Sequence, residues 1–349
     1  MIDKIDIEIT PEILKLIAEI DEFKGGWEAL KHLSPERLNA LKKVATIESV
    51  GSSTRIEGAK LSDTEVEQLL SGVDRTSFAS RDEEEVVGYA EAMDLVFESW
   101  REINLTENHI KQLHGVLLKH SSKDVRHRGE YKKHPNHVET FDENGESLGV
   151  IFETTSPFDT PREMMGLVSL IREEQSKGQL HPLIIIAVFV VCFLAVHPFQ
   201  DGNGRLSRIL ATLMLLREGY DYVLYASLEH VIEENKDKFY LSLRQTQKTL
   251  GAERQNWLPW LIFFLQALKA QKDRLMKKAK TEKILLQNLP ELSVKILSLV
   301  KERGRITISE IEVLTSAPKG TIKDRLRDLV KNKMLIRHGK ARSTWYTLP

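Results

Sequence analysis

A histidine, an aspartate, two glycines and two arginines stand within one short stretch, His197-Pro-Phe-Gln-Asp-Gly-Asn-Gly-Arg-Leu-Ser-Arg208. Together they could hold a phosphate group beside a base. His197 supplies a base whose ordinary pKa lies near physiological pH. Asp201 offers a hard oxygen ligand, suited to a Mg²⁺ ion that bridges phosphates. A loop entering a helix presents unsatisfied backbone N–H groups and the positive end of the helix dipole, and Gly202 and Gly204 let that backbone come close to an anion. Arg205 and Arg208, three apart, share one face of the new helix as donors to a polyphosphate. A P-loop is excluded, because GxxxxGK[ST] does not precede this helix. A plain joint between two helices would need the glycines alone.

Elements on both sides must position these groups. Leu183–Val196 is an uncharged apolar run of 14 residues, short of the ~20 that cross a bilayer, and reads as a core helix. Cys192, the single cysteine, lies inside it. That excludes an intrachain disulfide framework and suits a reducing cytoplasm. The N-terminus lacks the basic start and apolar core of a secretory signal, so a cytoplasmic protein with no membrane partner is expected. Apolar residues recur at helical spacing over Pro11–Glu22, Pro35–Val50, Ser62–Gly72, Arg81–Arg101, Thr106–His120, Pro161–Ser176, His181–Val196, Arg205–Gly219, Leu228–Leu250 and Trp257–Lys280. Between Ser121 and Pro161 the pattern lapses. Asp142-Glu-Asn-Gly145 there reads as a hairpin-type turn and Leu148–Phe152 as a short strand. The charged stretch Lys277–Lys283 is the expected linker. The 349 residues, 41% hydrophobic and 29% charged, fit a globular chain of about two domains.

The stretch from His197 to Arg208 matches in full the HPFx[D/E]GNGRxxR signature of the Fic (Fido) family. The resemblance runs from roughly Ile13 to Lys280, and the signature is highly specific. It implies a mainly α fold, a Fic-type helical bundle with a short β-hairpin flap. It also implies transfer of AMP from ATP to a hydroxyl side chain of a target protein. By this resemblance His197 is the general base and Asp201 holds Mg²⁺. Asn203 and the backbone of Gly202 and Gly204 form an anion hole, while Arg205 and Arg208 clamp the β- and γ-phosphates. Leu206 and Ser207 complete the ATP-binding stretch, and Phe199 anchors the loop. The family's tail motif appears as Asn235-Lys-Asp-Lys-Phe239-Tyr240, which makes Asn235 and Tyr240 adenine neighbours.

Upstream, Gly51-Ser-Ser-Thr-Arg-Ile-Glu-Gly58 places Ser53 and Glu57 four apart on one helix face, with Gly58 as a stop. This resembles the family's inhibitory motif, [S/T]xxxE[G/N], whose glutamate pairs with the second signature arginine, here Arg208, and fills the γ-phosphate space. Gly149, Val150, Ile151 and Phe152 correspond to the flap that aligns a target segment by strand addition. Lys132 stands where relatives usually carry an arginine after an aromatic residue. His127, His134 and His137 cluster nearby, but a zinc site would want a fourth ligand. His114 and His120 read as packed or solvated.

The end of the chain differs in charge. From Pro290 to Pro349 there are 13 Lys+Arg and 6 Asp+Glu, a net of +7, whereas the remainder carries 37 against 45, a net of −8. Helices at Leu292–Val300, Ile308–Thr315 and Lys319–Asn332, then two strands around Gly339, resemble a winged helix-turn-helix domain. Such a domain would set Lys319, Thr321, Lys323 and Arg327 against DNA, with Lys340 and Arg342 on the wing. A protein-binding role for the same module stays open. The expected organisation is an N-terminal helical region, 1–110, carrying an inhibitory helix at about 52–58, a Fic core, 111–282, and the winged helix, 283–349. The expected activity is that of an autoinhibited protein adenylyltransferase with ATP as co-substrate and Mg²⁺ as cofactor. Its target would be a Ser, Thr or Tyr hydroxyl of another protein or of itself, and a homodimer stays open. The rivals are a de-AMPylase, a Fic enzyme with another nucleotide or phosphocholine donor, and a nucleotide-sensing transcription regulator that binds DNA.

Overall fold

A computed structural model describes residues 5–30, 35–72, 78–141, 147–287, 290–331, 334–339 and 344–348. It divides into two compact units, Met1–Leu275 and Met276–Pro349. The first is mainly helical. In chain order it contains α1 (Pro11–Leu30), α2 (Pro35–Ile56), α3 (Asp63–Ser71), α4 (Arg81–Ser99), α5 (Glu107–Leu117), the strands β1 (His137–Phe141) and β2 (Ser147–Glu153), α6 (Thr160–Lys177), α7 (Pro182–Val196), α8 (Asn203–Arg217), α9 (Leu228–Glu234) and α10 (Lys236–Gln247). The long helix α11 (Leu258–Gln287) follows and runs on beyond Leu275.

The unit is built around α7. Every residue from Leu183 to Val196 is buried, and each large apolar side chain there contributes about 1.5–3 kcal/mol relative to exposure. Helices α6, α8 and α10 pack against it, and the Trp260 indole of α11 donates to the Ala187 carbonyl at 2.7 Å. A helix this deeply held makes a rigid mount for whatever follows its C-terminus. Helix α8 touches α2, α4 and α5 as well, so it sees most of the bundle.

Three sequence expectations need correction. Gly51, Ser52, Ser53 and Thr54 are weak helix formers, yet α2 runs unbroken through them to Ile56, so the expected short inhibitory helix is the last turns of a long one. Tertiary bonds hold it: Arg208 donates to Ser53 Oγ and to the Ser53 carbonyl, each at 2.9 Å, and Ser53 is fully buried. The single helix expected over Leu228–Leu250 is broken at Asn235, which ends α9 and opens α10. The expected linker at Lys277–Lys283 is helix, part of α11; its Lys, Ala and Glu are strong helix formers.

Strands β1 and β2 form an antiparallel hairpin, His137 opposite Glu153 and Val138 opposite Phe152, with an irregularity after Val138. Gly149, Val150, Ile151 and Phe152 thus lie on β2. The expected turn at 142–145 lies outside the described residues.

The second unit continues with α12 (Glu291–Arg303), β3 (Ile306–Thr307), α13 (Ile308–Thr315), α14 (Lys319–Lys331), β4 (Ile336–His338) and β5 (Trp345–Thr347). Its antiparallel sheet has the order β3-β5-β4. Ile296, Val300, Ile306, Ile311, Ile322, Leu326, Leu329, Leu335 and Tyr346 make its own core. Among the described residues no helix is long and apolar enough to cross a membrane.

Candidate active site

The site is the turn between α7 and α8. His197 ends α7 in the left-handed conformation, φ 51°, and its N–H still bonds the Phe193 carbonyl. Pro198 then forbids another helical turn. A non-glycine residue in this region stores strain, and such strain gathers at functional sites. His197 Nδ1 lies 3.3 Å from the Leu194 carbonyl. A carbonyl only accepts, so Nδ1 carries the proton and Nε2 is left as the free base. Burial, with the Lys132 ammonium next in effect, pushes the imidazole down to about 4. His197 is therefore neutral at pH 7.

Asn203 closes the loop that follows. Its Oδ1 accepts from the Phe199 N–H at 2.9 Å and its Nδ2 donates to the Phe199 carbonyl at 2.8 Å. The Asn203 side chain is thus tied to the backbone of Phe199 within the loop. Gly202 adopts φ 78°, glycine's region, and its carbonyl takes the first helical bond of α8, from Leu206. The N–H groups of Asn203, Gly204 and Arg205 precede that bond and crown the helix. Phe199, fully buried, stacks on His114 with ring centroids 3.8 Å apart.

His114, which the sequence reads as packed or solvated, is a packed positioning residue. Its Nδ1 accepts from the Gly129 N–H at 2.9 Å, so its Nε2 carries the proton and donates to the Asp201 carbonyl at 3.0 Å. Burial pushes its pKa down to about 4, which keeps it neutral. It shares the buried face of α5 with Ile110, Leu113 and Leu117; that helical spacing was the available signal.

Asp201 is held by two arginines. Its Oδ1 accepts from the Gly202 N–H at 2.6 Å and from Arg205 at 3.2 Å, and its Oδ2 from Arg81 at 2.9 Å. Burial alone would raise this carboxyl; Arg205, the Gly202 N–H and Arg81 together hold it below the usual carboxylate range. Arg205 is 2% exposed and also pairs with Glu85 at 3.0 Å, so it braces the loop from beneath. Its Nε has no hydrogen-bond partner among the described residues. Arg81 and Glu85, at the start of α4, were invisible to sequence reasoning because nothing local marks them.

The end of α2 lies across the crown of α8. Arg208 donates through Nε to Ser53 Oγ at 2.9 Å, and through Nη2 to the Ser53 carbonyl at 2.9 Å and to Glu57 Oε1 at 2.8 Å. A Cβ at Gly204 would strike the Glu57 carboxylate, so that carboxylate rests where the helix N-terminus would hold an anion. Gly58, at φ 108°, turns the chain away. Arg55 fastens the segment from outside, reaching Glu233 at 2.6 and 3.0 Å and Asp63 at 2.9 Å. Tyr89 donates to Glu229 at 2.9 Å beside Ser53.

Leu206 and Ser207 are buried in the first turns of α8, Ser207 Oγ donating to the Gly204 carbonyl at 2.8 Å. Tyr240 joins the site: burial raises its phenol, and Glu57 adds to the rise. Asn235 instead donates to the Val231 carbonyl at 3.0 Å. In the second unit Lys319, Thr321, Lys323 and Arg327 are exposed on α14, opposite the buried Ile322, Leu326 and Leu329. Lys340 and Arg342 lie outside the described residues.

Parts of the chain are similar to known proteins. The model of the Fic/DOC family matches residues 104–215, and residues 276–343 match a family described as a bacterial protein of unknown function (DUF977). The protein adenylyltransferase Fic of Drosophila mojavensis is 28% identical over 222 residues, 62% of this chain and 41% of that protein. Its counterpart in Drosophila virilis is 27% identical over 241 residues, 68% and 45% respectively. The chain thus spans less than half the length of these relatives. Among solved structures, a Fic domain containing signaling protein from Bacteroides thetaiotaomicron aligns with a TM-score of 0.61 at 27% identity, over 75% of this chain and 97% of that one. A Fic family protein from Desulfovibrio desulfuricans shares the fold over 99% of this chain and 98% of its own, with a TM-score of 0.65 at 21% identity. With the complete loop signature between α7 and α8, residues 104–215 are a Fic/DOC family domain.

Proposed function

We propose that the chain is a protein adenylyltransferase held in check by its own Glu57. One observation carries this reading: a carboxylate bound to Arg208 covers the N-terminus of α8, beside a histidine that is a neutral base. The resemblance to adenylyltransferases named Fic supports the same activity. In the reaction a target hydroxyl oxygen attacks the α-phosphorus of ATP. Its proton passes to His197 Nε2, the bond from the α-phosphorus to the bridging oxygen breaks, and pyrophosphate leaves. The crown of α8 and Arg208 supply the donors that offset the charge on the departing phosphates. Label from ATP appearing on protein hydroxyls, more in Glu57→Gly than in wild type, tests the reading.

Asp201 fits a Mg²⁺ site only in part. Among the described residues no three His, Cys, Asp or Glu side chains could hold a metal by themselves. Asp201 would share the ion with phosphate oxygens, and Arg81, about half exposed, would have to release Oδ2 first. When bound, Mg²⁺ would neutralise phosphate charge.

Two expected results follow from the geometry. In a Glu57→Gly background, Arg208→Ala should weaken ATP binding by roughly 10-fold or more, the loss of charge-assisted hydrogen bonds. AMP binding should hardly change, since the terminal phosphates are what Arg208 faces. Calorimetry showing equal losses for both nucleotides would refute the assignment. The pH profile gives the second. A histidine midpoint pushed below the ordinary 6.5 to about 4 leaves the base form dominant across neutral and mildly acid pH. The acid limb of the transfer rate should therefore fall near pH 4. A limb at the ordinary imidazole value would place another group in the role of base.

For the second unit, helices α13 and α14 followed by the β4 and β5 strands support a winged-helix reading. The exposed row Lys319, Lys323 and Arg327 supports contact with duplex DNA. Fluorescence anisotropy with the full chain should then show affinity falling with salt, at a log–log slope of about −0.9 per phosphate contacted. No affinity even at low salt would assign the unit to a protein partner.

A further inference from the structure

Lys132 is 3% exposed, and no carboxylate is paired with it among the described residues. Its ammonium has three oxygen partners: Asn136 Oδ1 at 2.8 Å, Thr154 Oγ1 at 2.8 Å and the Val196 carbonyl at 3.1 Å. Its backbone N–H donates to the Pro198 carbonyl at 2.8 Å. Lys132 thus grips the chain on both sides of His197. Asn136 and Thr154 are the residues just outside β1 and β2, one at each foot of the hairpin. They bond to each other through Thr154 Oγ1, and Asn136 Nδ2 donates to the Phe199 carbonyl at 2.8 Å.

An unpaired ammonium is costly to bury. Here the C-terminal carbonyls and negative dipole end of α7 offset part of that cost. A neutral residue filling the same space would avoid the cost, so the charge calls for an explanation.

We propose that Lys132 is a positioning residue whose one ammonium couples the hairpin to the peptide that presents His197. The inference rests on the AMP-transfer reading, in which the hairpin aligns the target hydroxyl and His197 takes its proton. The coupling has two effects. It sets the distance between target segment and base, and its charge disfavours the imidazolium. The charged groups facing His197 are Lys132, Glu57 from the end of α2 and Asp201 from its own loop. Of these only Lys132 opposes protonation. The same burial pushes Lys132 itself down to about 8, so it stays largely charged at neutral pH.

The test compares Lys132→Met and Lys132→Arg in the full chain carrying Glu57→Gly. The readouts are the His197 titration by NMR of histidine-labelled protein, ATP affinity by calorimetry, and AMP transfer. For Lys132→Met, the His197 midpoint should rise from about 4 toward the ordinary value. Transfer should fall roughly 10- to 100-fold through misplacement of the reacting groups, with ATP affinity unchanged. Lys132→Arg keeps the charge, so it should hold the low midpoint and recover part of the rate. An unmoved midpoint in Lys132→Met, or parallel losses of ATP affinity and rate, would overturn the proposal. If Lys132→Met does not fold, Lys132→Gln takes its place: a His197 midpoint risen above about 4 supports the role of the charge, and an unmoved one overturns it. The titration needs no turnover, so a parent protein without transferase activity would sink the functional reading and still leave the Lys132 coupling open to measurement.

Discussion

Replacing His197 by alanine should lower AMP transfer by about 10²–10⁴-fold or more, the usual contribution of a positioned base. ATP binding should survive. The reason lies in the division of labour at the turn. His197 caps the C-terminus of α7 and reaches the start of α8 only through the loop, whereas the donors proposed for phosphate sit on α8 and at Arg208. Alanine keeps the Cβ, so the strain of a left-handed non-glycine residue at φ 51° stays in the variant. Single-turnover rates and nucleotide affinity, measured on one preparation, separate the two roles. Transfer close to the wild-type rate would assign the proton to some other group.

Glu57→Gly should raise transfer. In the wild type the Glu57 carboxylate takes one of the donors of Arg208 at 2.8 Å and lies against Gly204, where the phosphates would sit. Charge repulsion and a captured guanidinium then act in the same direction. A charge-assisted hydrogen bond of about 1.5–3 kcal/mol, if it were the whole restraint, corresponds to roughly 10- to 150-fold in affinity. Glu57→Gln keeps the shape and part of the hydrogen bonding while removing the charge, so it should relieve less than glycine does. Three equal rates at saturating Mg²⁺ would leave Glu57 as ordinary helix-end chemistry.

The layout of the turn was legible because its parts are neighbours in the chain. A base, a turn and an anion-binding helix start follow one another between His197 and Arg208, and the apolar run before them announces the buried helix that carries them. The pairing of Glu57 with Arg208 was legible only through family resemblance, since 151 residues separate Glu57 from its partner. Nothing in composition or spacing could have joined them. Arg81 and Glu85, and the contacts that Lys132 and His114 make, were missed for a related reason. Each acts through tertiary neighbours, and a buried lysine in an irregular stretch looks like any surface lysine until its surroundings are known. The long α2 defied propensity because burial, the bond of Arg208 to Ser53 and that of Arg55 to Glu233 outweigh the cost of a Gly-Ser-Ser-Thr run inside a helix. The break at Asn235 ran the other way. There the apolar period continues while the helix does not, and the Asn-Lys-Asp sequence was the only hint.

The most direct measurement is the fate of the label when the Glu57→Gly protein is given ATP labelled on either the α- or the γ-phosphate, with Glu57→Gly/His197→Ala as control. The α-label should become bound to protein and the γ-label should not, and the His197→Ala control should carry almost none. Incorporation of γ-label, or α-label incorporated equally without His197, would contradict AMP transfer at this turn.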